Sequence, residues 1–148
     1  MAHADLDVLI VDDDDLVAEA IADGVRLAGY TVCGVAATGD QAVELMRRHR
    51  PRLALVDVDL GDGQDGVNAA RQLAGIGPIT VIFVTGYPDK IRPSDSDVGV
   101  AWMEKPYRVL DLINALDIVS ARSEQRAVTI PIPAALHMLR RDQALGTD

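Results

Sequence analysis

Four short apolar runs punctuate the chain: Val8-Leu9-Ile10-Val11, Leu53-Ala54-Leu55-Val56, Val81-Ile82-Phe83-Val84 and Val100-Ala101-Trp102-Met103. Runs this short, without polar alternation, read as strands of a parallel sheet buried on both faces. Tyr30 to Ala36 reads as one more strand, rich in β-branched residues. Between the strands the period changes to that of a helix. Leu16, Val17, Ala20, Ile21, Val25 and Ala28 share one helical side, which Gly29 ends, with Asp14 or Asp15 as the capping carboxylate. Thr38-Gly39-Asp40 opens a second helix with Ala42, Val43, Leu45 and Met46 on its apolar side, closed by Pro51. Val67 to Ala74 make a short third helix, and Leu112, Ile113, Leu116 and Val119 mark the last one, from about Tyr107 to Ala121. Strand and helix alternate five times. This predicts an α/β fold, a doubly wound five-stranded parallel sheet with helices on both faces.

The pattern weakens in two places. Asp89 to Asp97 holds one apolar residue besides Pro93. An interior proline costs a helix about 3 kcal/mol, so the fourth helix is expected to be irregular. After the domain at residues 5–121 comes an extension, 122–148. Its polar joint leads to Val128-Thr129-Ile130-Pro131-Ile132-Pro133 and Ala134-Ala135-Leu136-His137-Met138-Leu139. The prolines forbid a central strand. The expectation is an extended piece followed by one or two helical turns, either folded back on the domain or docked on a partner subunit as a homodimer arm.

Composition narrows the class. The 49% hydrophobic content suffices for one core, and the net charge of -9 argues against a nucleic-acid surface. One cysteine, Cys33, excludes an internal disulfide and points to a reducing compartment. With no bilayer-spanning run and no signal-peptide pattern, the expected place is the cytoplasm, away from membrane. The 27 residues after Ala121 are too few for a DNA-binding module with its own core.

Five polar residues stand at or just beyond the strand ends: Asp12, Asp13, Asp57, Thr85 and Lys105. In an open α/β sheet the carboxyl ends of the strands line the ligand crevice. Three carboxylates crowded there need a cation, and an all-oxygen set favours Mg²⁺ over Zn²⁺. Asp57 is then placed to act as a nucleophile toward phosphorus and form an acyl phosphate. Lys105 and the ion would stabilise the phosphoryl oxygens, and Thr85 could donate a hydroxyl hydrogen bond to them.

Residues 5 to 121 resemble the receiver domain of two-component response regulators. Val8-Leu9-Ile10-Val11-Asp12-Asp13-Asp14 looks like its acidic first motif, Leu55-Val56-Asp57 its phosphoacceptor, and Thr85 and Lys105-Pro106 its other two signatures. The resemblance implies a flavodoxin-like, CheY-like fold with strand order 2-1-3-4-5. It implies that Asp57 takes a phosphoryl group from a sensor histidine kinase, or exchanges one with a phosphotransfer protein. Mg²⁺ would sit on Asp12, Asp13, Asp57 and the backbone carbonyl of Asp59. Gly86 fits the small residue that leaves the phosphate room, and the Lys105-Pro106 peptide is expected to be cis. Trp102 stands where this family usually carries Tyr, Phe or His, so the usual two-rotamer switch is in doubt. The output surface, facing a downstream protein target, is expected to include Trp102 and Tyr107. Phe83-Val84-Thr85-Gly86-Tyr87 further resembles an α-proteobacterial stand-alone subgroup, often served by HWE-class kinases.

Two rivals differ in kind. Val56-Asp57-Val58-Asp59-Leu60 resembles the nucleophile motif of haloacid-dehalogenase-type phosphohydrolases. In that family, however, the nucleophile lies on the first strand and the metal carboxylates follow the lysine. A receiver serving only as an interaction module would not need all five rim residues.

Overall fold

The computed structural model describes residues 3–61, 63–124 and 130–139. Its elements are β1 (His3–Val11), α1 (Asp15–Leu27), β2 (Tyr30–Ala36), α2 (Gly39–His49), β3 (Leu53–Asp57), α3 (Gly66–Ile76), β4 (Thr80–Thr85), β5 (Gly99–Glu104), α4 (Val109–Ser123) and β6 (Leu136–Met138). The sheet order is β2-β1-β3-β4-β5-β6; the first five strands are parallel and β6 is antiparallel to β5.

The apolar runs are continuous because each strand feeds two cores. Successive side chains point to opposite faces of a sheet. Val8 and Ile10, Leu53 and Leu55, and Ile82 and Val84 pack with Ile21 and Val25 of α1 and Leu112 and Leu116 of α4. The residues between them, Leu9, Val11, Ala54, Val56, Val81 and Phe83, pack with Met46 of α2 and Leu73 of α3. Full burial of a residue such as Phe83 stabilises the fold by about 1.5–3 kcal/mol. A Cβ on Gly99 would overlap the Phe83 ring, so glycine is needed there for packing.

Local chemistry sets the helix ends. Asp14 is the α1 cap, its carboxylate accepting from the N–H groups of Leu16 and Val17. Thr38 and Asp65 do the same for α2 and α3. Arg50 closes α2 in a left-handed conformation at φ 50°, and Pro51 prevents continuation.

The structure departs from the sequence expectation at one edge. The irregular fourth helix is two short 3₁₀ turns, Pro88–Lys90 and Pro93–Asp97. It lacks an apolar stripe and is held by charge instead. Asp95, only 5% exposed, accepts from Arg92 N–H at 2.8 Å and from Arg71 Nη2 of α3 at 2.8 Å, while Arg71 Nη1 reaches Asp97 at 2.6 Å. The sheet has six strands, not five. Residues 136–138, expected as helical turns, pair with β5 because its free edge offers main-chain partners that a lone helical turn would lack. This part of the extension folds back on its own domain. The last helix also begins and ends two residues later than expected, and the joint at 125–129 and residues 140–148 lie outside the described residues.

Candidate functional site

The parallel topology carries the ends of β1, β3, β4 and β5 to one rim, around an open cavity of about 880 Å³. Asp12, Asp13, Asp57, Asp59, Gly86, Lys105 and Tyr107 all line it. Asp57 is 4% exposed at the end of β3, and Asp12, also 4% exposed, directly follows β1. Carboxylate oxygens of Asp12, Asp13 and Asp57 lie within 4.8 Å of one another, the one such cluster among the described residues.

The backbone turns around two of the three carboxylates. Asp12 accepts the Asp14 N–H at 2.9 Å and Asp57 accepts the Asp59 N–H at 2.9 Å. The other Asp57 oxygen, Oδ2, accepts from Lys105 Nζ at 2.8 Å. Burial pushes Asp12 up from 3.8 to about 6, with the charges of Asp57 and Asp13 adding to the rise; the Asp14 N–H and Lys105 work against it. Burial works against the Lys105 charge, but the hydrogen bond and charge of Asp57, backed by Asp12 and Asp59, outweigh it and hold the ammonium above its ordinary value. Burial beside Asp12 and Asp57 likewise pushes the Tyr107 phenol up to about 12. The rim therefore carries more negative charge than Lys105 alone offsets.

The donor set fits a hard divalent ion. It is all oxygen, carboxylate-rich and open on one side. Asp59 and Asp65 face each other in an antiparallel bridge whose bonds come from their neighbours, Gly66 N–H to Val58 O and Leu60 N–H to Gln64 O. The Asp59 carbonyl is thus not engaged in the bridge. The Asp59 carboxylate lies 3.7 Å from Lys90 Nζ and accepts from Gly61 N–H at 3.4 Å.

Thr85 is buried at the end of β4, but its hydroxyl is turned to the next loop. It accepts from Tyr87 N–H at 2.9 Å and donates to Tyr87 O at 3.2 Å, and it does not line the cavity. Gly86 does, and a Cβ there would meet only Lys105 Cβ at 3.8 Å, an ordinary contact. The Lys105–Pro106 peptide is cis. Trp102 lies off the rim, half-buried and stacked on His137 with ring centroids 4.2 Å apart and planes 17° from parallel.

Sequence reasoning missed three residues here. A Cβ on Gly66 would overlap the Asp57 carbonyl oxygen, so only glycine lets α3 start against the loop that follows β3. Gly61, at φ 72°, would place a Cβ 2.7 Å from Asp13 Oδ2. The sequence shows Gly61, Gly63 and Gly66 between β3 and α3, but not which carboxylates they have to clear. His137 carried no signal at all until the strand pairing brought it over Trp102.

A parallel five-strand core in this order, with a carboxylate cluster and a lysine at its carboxyl rim, defines an α/β module of the flavodoxin-like class. The comparison with protein families agrees: residues 8–117 match the response regulator receiver domain, and the chain belongs to that family. It is 33% identical over 117 residues to the transcriptional regulatory protein PdtaR of Mycobacterium tuberculosis, covering 78% of this chain and 57% of that protein. To the phyllosphere-induced regulator PhyR of Methylorubrum extorquens it is 33% identical over 106 residues, covering 69% and 39%. The chain thus spans about half the length, or less, of these relatives. Among solved structures, the N-terminal domain of a response regulator/sensory box/GGDEF 3-domain protein from Carboxydothermus hydrogenoformans superposes with a TM-score of 0.71 at 30% identity, over 80% of this chain and 97% of that one. Among the described residues no helix is long and apolar enough to cross a membrane.

Proposed function

We propose that this receiver accepts a phosphoryl group on Asp57 from the phosphohistidine of a sensor kinase or a phosphotransfer protein, and signals by protein contact in the cytoplasm. The observation that carries the reading is Lys105 Nζ at 2.8 Å from Asp57 Oδ2, beside the carboxylates of Asp12 and Asp13. An Asp57 oxygen attacks phosphorus, the bond from phosphorus to the histidine nitrogen breaks, and an acyl phosphate forms. Lys105 moves from the carboxylate to the phosphoryl oxygens, and Thr85 must give up Tyr87 O to donate to them. Asp12, Asp13, Asp57 and the Asp59 carbonyl would hold Mg²⁺, which supplies charge neutralisation at the transferring group.

The signal leaves through β5 and the residue after it: Glu104 N–H donates to Ala135 O and Lys105 N–H to Thr85 O, both at 2.9 Å. Trp102 on that strand and Tyr107 just after it form the responding surface. The motif Phe83 to Tyr87 supports the α-proteobacterial subgroup and, with it, an HWE-class kinase.

Incubation with acetyl phosphate and Mg²⁺, followed by intact mass, tests the phosphoacceptor. One phosphoryl group is expected per wild-type chain and none on Asp57→Ala. Equal labelling of both would refute the assignment. Hydrogen exchange with beryllofluoride and Mg²⁺ is expected to change at Trp102, Glu104 and Tyr107; unchanged exchange there would reject the output surface.

A further inference from the structure

An edge strand presents a row of unpaired N–H and C=O groups that can template another strand. In this protein the β5 edge is taken by residues 135–139 of the same chain. Glu104 N–H donates to Ala135 O, and Leu139 N–H donates to Val100 O, each at 2.9 Å. Leu136, 6% exposed, joins the core beneath α1 and α4, and Leu139 packs against the core on the other face.

The central side chain fits less well than its flanks. His137 stacks on Trp102, yet its Nε2 is shut off from solvent and has no hydrogen-bond partner among the described residues. Glu104 Oε1 lies 3.5 Å away. A buried polar nitrogen left in that state opposes the pairing. Main-chain pairing and apolar flanks hold the segment, while the middle weakens it. That is the profile of a ligand that can be replaced.

A better occupant of the central place is a planar cation. An arginine guanidinium can lie over the Trp102 indole and direct N–H groups to the Glu104 carboxylate. The imidazole in place now stacks but does not complete the hydrogen bond. The net charge of -9 also favours a basic segment over an acidic one. We infer that the β5 edge is a strand-accepting docking site for an extended segment of a partner protein with an aliphatic–arginine–aliphatic pattern, and that residues 135–139 are its intramolecular competitor. The partner's strand adds to the sheet in the manner of β-augmentation. The pairing shares β5 with the output surface proposed above, and it is tested here on the unphosphorylated chain.

Fluorescence anisotropy with labelled peptides tests the site on the full chain. The probes carry the sequence of residues 130–139 unchanged, with His137→Arg, or with His137→Glu. The hosts are wild type and Leu136→Asp, which weakens the resident segment and leaves the β5 edge intact. Should circular dichroism show that Leu136→Asp does not fold, Leu136→Ala replaces it. The weakened host is expected to bind the His137→Arg peptide about tenfold more tightly than the unchanged one, and the His137→Glu peptide least. Glu104→Gln in the host should erase the advantage of arginine, and wild type should bind every peptide about tenfold more weakly than the weakened host. Emission of Trp102, the single tryptophan, should change with each binding event. Equal binding of the arginine and glutamate peptides, or equal binding by both hosts, would overturn the proposal. Dimerisation of the weakened host that the unchanged peptide blocks would assign the edge to a second copy and overturn the partner.

Discussion

Glu104 and Lys105 are neighbours in the chain, yet they serve two regions built on different principles. Lys105 closes the rim, where Asp12 and Asp57 each accept a main-chain N–H and stand among like charges. Glu104 closes the sheet edge, where backbone pairing and one aromatic stack hold a segment whose central imidazole Nε2 has no hydrogen-bond partner among the described residues, Glu104 Oε1 lying 3.5 Å away. At the rim, buried charge is arranged in advance of the cation and phosphate that it is suited to receive. At the edge, pairing is sufficient to cover the strand but not to seal it. One region is over-determined, the other exchangeable.

The comparison breaks most sharply at Lys105. Lys105→Ala leaves the Asp57 carboxylate without its cationic partner, and the rate of labelling by acetyl phosphate should fall about 10²-fold, as for loss of a single charge-stabilising donor. A rate within a few-fold of wild type would mean that Lys105 is structural. Next comes Gly66→Ala. Its methyl group must displace the Asp57 carbonyl, and urea unfolding should show a loss of about 3 kcal/mol together with slower labelling.

Asp12 sharpens the electrostatic side. Between pH 3.8 and about 6 the folded chain holds a proton on Asp12 that the unfolded chain has released, so stability falls as pH rises through that window. Above it the penalty is constant, at about 3 kcal/mol for a shift of this size. Metal-free Asp12→Asn should therefore be more stable than wild type at pH 7.5 and show a smaller advantage at pH 5. Mg²⁺ should stabilise wild type and have much less effect on the variant, and its hold on wild type should weaken as pH falls through about 6. Unfolding midpoints with and without the ion check all three. The smallest global effect is expected at the edge. Leu136→Ala should cost about 2 kcal/mol at most, read as faster amide exchange at Glu104 and Leu139 while the rim amides of Asp14 and Asp59 stay protected.

Much of the fold was legible because a strand buried on both faces needs an unbroken apolar run, and the four runs said so directly. The site was legible for a related reason. Polar residues that end such runs arrive at one rim whatever the details of the helices between them. Pro93 announced the irregular segment, but not the Arg71–Asp95 pair that holds it, since 24 residues separate the partners. Thr85 illustrates a subtler limit. Its position follows from β4, while the direction of its hydroxyl follows from the Tyr87 turn.

The sequence by itself determined the parallel sheet, the carboxylate rim and Asp57 as its centre, because local periodicity and strand ends suffice for them. Only the tertiary structure decided where glycine was obligatory, that burial raises Asp12 to about 6, and that residues 136–138 form a sixth strand. Those depend on distances between residues far apart in the chain: Gly66 against the Asp57 carbonyl, Asp12 against Asp57, and His137 against Trp102. No local pattern encodes such distances, because they come into being only when the chain packs.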